Sequence, residues 1–100
     1  MKTVYTMRVR VWLYSGVAAW HFVTVPKRQS NEIKKYFGDK LKRGWGSVPV
    51  DATLGKTRWQ TSIFPDKKAG AYLLPIKVAV RKKAGVKNGD TVRMILRIRV

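Results

Sequence analysis

With 100 residues and an apolar share of 45%, the chain has the size of one domain and enough hydrophobic surface to bury a core. Its 22 Lys and Arg against five Asp and Glu give a formal net charge of +17, whereas solubility alone requires a magnitude of about 2–8. The lack of Cys excludes disulfides and thiolate metal sites. We predict a single cytoplasmic domain over residues 1–100, without a membrane span, whose surplus charge favours nucleic acid or another polyanion as partner.

The first strands are predicted from alternation along residues 4–14. The apolar positions are Tyr5, Met7, Val9, Val11 and Leu13, and the positions between them include Thr6, Arg8, Arg10 and Trp12. Such alternation is typical of a half-buried strand. Ser15-Gly16 interrupts the pattern, and the β-branched and aromatic residues of 18–25 predict a hairpin partner for the first strand.

Two prolines predict the starts of two short helices. Proline presets the backbone φ and lacks an N–H, so it suits the first position of a helix. Apolar residues follow Pro26 and Pro75 at helical spacing, and Gly85 is a natural C-terminal cap for the second helix. We therefore expect helices near Pro26–Phe37 and Ile76–Ala84.

The remaining regular segments read as strands. Candidates are residues 47–54, 56–64 and 71–74. The last strand alternates without a break. One side carries Val92, Met94, Leu96, Ile98 and Val100, and the other carries Thr91, Arg93, Ile95, Arg97 and Arg99. We expect the first and last strands to be antiparallel neighbours, with a shared buried set of Met7, Val9, Val11, Met94, Leu96 and Ile98. Short strands with two brief helices predict a mainly β domain, a small closed or nearly closed β-barrel.

Four motifs occur in the order of a known family. They are Trp20–Val23, Arg43–Val50, Thr61–Asp66 and Tyr72–Pro75. On these motifs the chain resembles the prokaryotic domain-of-unknown-function family DUF1905 over nearly its whole length. The resemblance implies a small β-barrel, of the double-split type, with no established activity. Residues 74–92 are also similar, more weakly, to the half-barrel of AbrB-like DNA-binding regulators.

The sequence offers little for catalysis. Acid–base and nucleophilic catalysis need a nucleophile, a base and an orienting group within hydrogen-bond reach, and this chain has a single His and five scattered acids. His21, between Trp20 and Phe22, is interpreted as a hydrogen-bonded structural imidazole. We expect no enzyme activity, no cofactor and no metal site.

Arginines and aromatic residues form the candidate binding surface, because cations contact phosphates and rings stack on unpaired bases. The candidates for nucleic acid or another anion are Arg8, Arg10, Trp12, Arg43, Arg58, Arg93, Arg97 and Arg99. The alternative is a small-ligand or protein-binding barrel with a pocket lined by Trp20, Trp45, Trp59 and Tyr72. A third interpretation treats most Trp residues as core and the charge as a solvated surface.

Overall fold

A computed structural model describes residues 2–16, 19–38 and 46–99. In chain order they form β1 (Val4–Arg10), β2 (Trp12–Leu13), β3 (His21–Thr24), α1 (Lys27–Ile33) with a π-helical turn (Lys34–Gly38), β4 (Val48–Leu54), β5 (Thr57–Asp66), β6 (Ala71–Pro75), α2 (Val78–Ala84) and β7 (Thr91–Ile98). The predicted mainly β class with two short helices is confirmed. None of these helices is long and apolar enough to cross a membrane.

The seven strands form one antiparallel sheet in the order β1-β7-β4-β5-β6-β3-β2. β5 belongs to both halves of the sheet, because its residues up to Ile63 pair with β4 and its last residues, Phe64–Asp66, pair with β6. The sheet curls into a half-barrel, in agreement with the predicted fold class. We call β1, β7, β4 and the start of β5 the first half, and the end of β5 with β6, β3 and β2 the second half.

The inner side of the first half contributes much of the hydrophobic core, which also includes residues of the second half and of α1. β1 alternates between exposed and buried residues, and Tyr5 lies opposite Leu96 in the β1–β7 ladder. The predicted set Met7, Val9, Val11, Met94, Leu96 and Ile98 is buried throughout. The antiparallel pairing of the first and last strands is confirmed as well. A one-residue slip would turn every one of these side chains to the outside, so the core fixes the register.

The predicted first strand is interrupted at Val11. The Val11 amide donates to the Asp90 carbonyl oxygen, and the Val11 carbonyl oxygen accepts from the Gly89 amide, both at 2.8 Å. As a result β1 pairs with β7, and the predicted hairpin is limited to β2 and β3. Leu13 was expected on the buried side and is exposed, because beyond Val11 the chain leaves the β1–β7 pair and forms a two-residue edge strand.

A buried serine fastens α1 to the second half. The Ser30 hydroxyl donates to the Val25 carbonyl oxygen at 2.9 Å and accepts from the Tyr72 amide at 3.0 Å. The buried Ser30 hydroxyl is thereby itself fully hydrogen-bonded, once as donor and once as acceptor. At the other helix Gly85 adopts a left-handed φ of 69° and caps α2 as predicted.

Candidate functional site

Arginines occupy the outer side of β1 and β7. Arg8 lies directly opposite Arg93 in the ladder, and both side chains are exposed. Directly opposed residues have Cβ atoms about 4.5–5.5 Å apart, and like charges at that spacing destabilise a sheet. The exposed arginines that follow the outward positions of these strands are Arg8, Arg10, Arg93, Arg97 and Arg99, and we call them the cationic face.

Asp51 on β4 supplies negative charge beside the cationic face. It lies opposite Arg97 in the β4–β7 ladder, and Arg58 Nη2 donates to its Oδ2 at 3.2 Å. Among the described residues this is the one ion pair with an N···O distance within 4.0 Å. Arg58, a candidate from the sequence, is therefore paired, whereas Arg8 and Arg93 have no carboxylate partner in the described part of the chain.

The outer side of the second half is aromatic. Trp12 lies opposite Phe22, with ring centroids 5.1 Å apart, and Trp12 Nε1 donates to Thr24 Oγ1 at 3.0 Å. The rings of Trp20 and Tyr14 lie 6.0 and 6.4 Å from the same Phe22 ring. We call Trp12, Tyr14, Trp20 and Phe22 the aromatic cluster. Trp20 and Tyr14 remain 55% and 54% exposed, so their rings are available to a ligand.

Trp20 lies between two surface cavities. The larger, about 760 Å³, lies between the outer side of β5, the start of α2 and residues 19–21, and we call it the groove. Arg99 of the cationic face also lines it. The second cavity, about 640 Å³, follows the aromatic cluster and reaches Asp66 and Lys68. The groove is therefore the place where the cationic face and the aromatic cluster meet.

His21 holds an arginine at the edge of the groove. Arg81 Nη1 lies 3.3 Å from His21 Nε2, and His21 Nδ1 lies 2.9 Å from the Ala19 carbonyl oxygen. With the ring hydrogen on Nδ1 both contacts are hydrogen bonds, because Nδ1 then donates to the carbonyl oxygen and Nε2 accepts from the guanidinium. Arg81 Nε also donates to the Ile76 carbonyl oxygen at 3.3 Å. Sequence reasoning missed Arg81, because only the docking of α2 brings it to His21.

The three described residues of the alternative pocket do not line one common cavity. Tyr72 is only 3% exposed and belongs to the core, and Trp59 lies opposite Ala52 and packs against the same core. Trp20, in contrast, lines both cavities. The predicted site residues Arg43 and Trp45 lie outside the described residues.

The described acids have structural partners. Asp66 and Asp90 each accept a hydrogen bond from a backbone amide three residues away in their turns. Glu32 Oε1 accepts from the Tyr5 hydroxyl at 3.4 Å. Burial above all, and then the charge of Glu32, raises the pKa of Tyr5 above its usual value of 10.0. Within the described ranges no three His, Asp or Glu side chains come together as metal ligands would.

These features define a small, basic half-barrel domain with an arginine-rich and an aromatic outer surface. The chain belongs to the family described as Domain of unknown function (DUF1905), whose model matches residues 8–96. The resemblance inferred from the four sequence motifs is thereby confirmed. No match to the chain was found among curated proteins.

Proposed function

We propose that this domain is a non-enzymatic binding module of the cytoplasm that binds single-stranded nucleic acid through its cationic face. The observation that carries the proposal is the direct opposition of Arg8 and Arg93, neither of which has a carboxylate partner among the described residues. Two cations held side by side attract an anion that can lie between them. The formal charge of +17 adds long-range attraction to a polyanion.

The aromatic cluster favours a single strand over a duplex. Arg10 and Trp12 are separated in the chain only by the buried Val11, and Arg10 is exposed while Trp12 is half-buried. A strand whose phosphates lie along Arg93, Arg8 and Arg10 can therefore reach the rings at Trp12 and beyond. Aromatic side chains stack on unpaired bases, which a duplex keeps inside its own stack.

The test is a binding measurement by fluorescence anisotropy with a labelled single-stranded oligonucleotide at about 50 and 200 mM salt. If six or more phosphates are contacted, wild-type affinity should fall on the order of a thousandfold across this range. The variant Arg8→Gln/Arg93→Gln should bind more weakly, and its salt slope should be shallower by about two contacts.

The matched control is Lys82→Gln/Lys83→Gln, which removes the same formal charge from exposed positions on α2. We expect the control to keep most of the wild-type affinity and slope, and a duplex of the same length to bind more weakly than the single strand. If both double variants change binding equally, the affinity comes from net charge alone and the cationic face is a solvated surface. If the affinity of every variant is independent of salt, binding of a small ligand replaces this proposal.

A further inference from the structure

The groove combines features of a small-molecule site. Three large apolar side chains that line it, Trp20, Phe64 and Val78, are 55%, 43% and 54% exposed. Its volume of about 760 Å³ falls within the range of about 300–1,000 Å³ typical of ligand pockets. Exposed apolar side chains gathered around one concavity commonly mark a binding site, whereas isolated ones do not.

The charges at the groove have one sign. Lys77, Arg81 and Arg99 line it, and no Asp or Glu is found among its described lining residues. Gln60 and Ser62, from the outer side of β5, add neutral hydrogen-bonding groups. The groove therefore complements a ligand that has an anionic group on one side and an apolar body on the other.

Arg81 is oriented before any ligand arrives. Its Nε donates to the Ile76 carbonyl oxygen and its Nη1 to His21 Nε2, which leaves Nη2 without a partner among the described residues. A guanidinium held in this way loses less conformational freedom on binding and presents its remaining donors in a fixed direction. His21 is thus a positioning residue, and Arg81 is the anion contact.

We propose that the groove binds a small organic anion with a planar ring, its phosphate or carboxylate at Arg81 and its ring against Trp20 and Phe64. A flat ring fits these aromatic walls because offset or edge-on ring contacts add to the burial of apolar area. A nucleoside monophosphate has this chemistry, as does an aromatic carboxylate. The groove shares Arg99 with the cationic face, but its anion contact is Arg81, and it does not depend on nucleic-acid binding at Arg8 and Arg93.

The experiment is an NMR titration of the full chain with adenosine monophosphate, and separately with adenosine and with inorganic phosphate. The monophosphate should bind at least about tenfold more tightly than either half, because the anion contact and the ring contact reinforce each other. Arg81→Gln should weaken its binding at least about tenfold, as expected for loss of a charge-assisted hydrogen bond. Lys82→Gln, with the same charge change one residue along α2, should leave it unchanged.

The ring contact and the positioning role have their own variants. Phe64→Ala should weaken binding severalfold, whereas Tyr36→Ala, an exposed ring on the π-helical turn outside both cavities, should not. His21→Ala should weaken binding in wild type but not in the Arg81→Gln background, since His21 acts only through Arg81. The single His also allows a direct measurement, because its imidazole ¹⁵N shifts show whether Nε2 is the nitrogen without hydrogen, as the Arg81 contact requires.

Several results would overturn the assignment. Equal loss in Arg81→Gln and Lys82→Gln would mean non-specific attraction, and equal affinity for inorganic phosphate or for adenosine would mean that one half of the site is absent. Thermal melts check that each variant folds. If Arg81→Gln does not fold, Phe64→Ala, at an exposed position, tests whether the groove is the binding site. If Arg8→Gln/Arg93→Gln abolishes binding of the monophosphate, the site lies on the cationic face instead. Retained monophosphate binding without oligonucleotide binding would refute the proposed function but keep this site.

Discussion

The cationic face and the aromatic cluster lie on the outer side of the same sheet but are held in opposite ways. β1 and β7 are joined by a ladder of seven paired residues over a buried core, and this pairing tolerates Arg8 and Arg93 side by side. β2 has only two paired residues, and the rings around Phe22 supply contacts that so short a ladder lacks. In the first half the outer side chains repel and the core stabilises the strands; in the second half the outer side chains help to stabilise them.

Removal of the central ring should be the most damaging change to the second half. Phe22 contacts three other rings and is half-buried, so Phe22→Ala should lower the free energy of unfolding by about 1–3 kcal/mol. Trp20→Ala, at a mostly exposed ring with one such contact, should lower it by less than about 1 kcal/mol. Urea denaturation measures both. Equal losses would show that Phe22 is not the central contact of the cluster.

Removal of positive charge from the first half should instead raise the free energy of unfolding. Arg8→Gln/Arg93→Gln should raise the free energy of unfolding by roughly 0.2–1 kcal/mol, because it ends the repulsion between directly opposed cations. Added phosphate should raise the melting temperature of wild type more than that of the variant, since the variant has less repulsion to screen. The control Lys82→Gln/Lys83→Gln should show neither difference. An unchanged or lower stability of the Arg8/Arg93 variant would refute the repulsion.

The smallest expected effect concerns Tyr5, on the inner side of the first half. Burial and Glu32 raise its pKa in the folded state, so the unfolded chain loses the phenol proton first as the pH rises. The stabilisation is therefore fully present below about pH 10 and is lost as the pH rises from there through the raised pKa. Tyr5→Phe lacks this titration. The difference in unfolding free energy between wild type and Tyr5→Phe should stay constant up to about pH 10 and then shift against wild type, and a flat difference to pH 11 would contradict the account.

The parts of the fold that follow from local pattern were predictable. Uninterrupted alternation in residues 91–98 and 4–10 revealed which side chains of β1 and β7 are buried, whereas their pairing was expected because the first and last strands of small barrels are often neighbours. The position of Leu13 was not predictable in this way, because the interruption at Val11 depends on the turn at residues 89–90 far along the chain. Alternation reports which side of a strand a residue faces, and it does not report where a strand changes partner.

The residues of the candidate site show the same difference between what local pattern predicts and what depends on packing. Arg8, Arg10 and Trp12 could be assigned from strand periodicity, and the structure places them on the outer side as that periodicity requires. The convergence of Trp12 with Phe22, and of His21 with Arg81, could not be assigned, since each depends on how separate elements pack. Tyr72 was a candidate for the alternative pocket, but its side chain is buried in the core. No local sequence pattern reveals that burial.

The pairing of β1 with β7 also bears on how the chain folds. Val4 is opposite Arg97, so this ladder joins the two ends of the sequence, whereas β4–β5 and β5–β6 join neighbouring segments. The entropic cost of closing a loop rises with the length of the loop. Pairings between distant segments therefore form only after contacts already made offset that cost. The hairpins of the middle of the chain can form early, but Arg8 and Arg93 come together only when the longest loop closes. The cationic face is therefore a property of the completed domain, and a partially folded chain carries the same arginines without the surface they make.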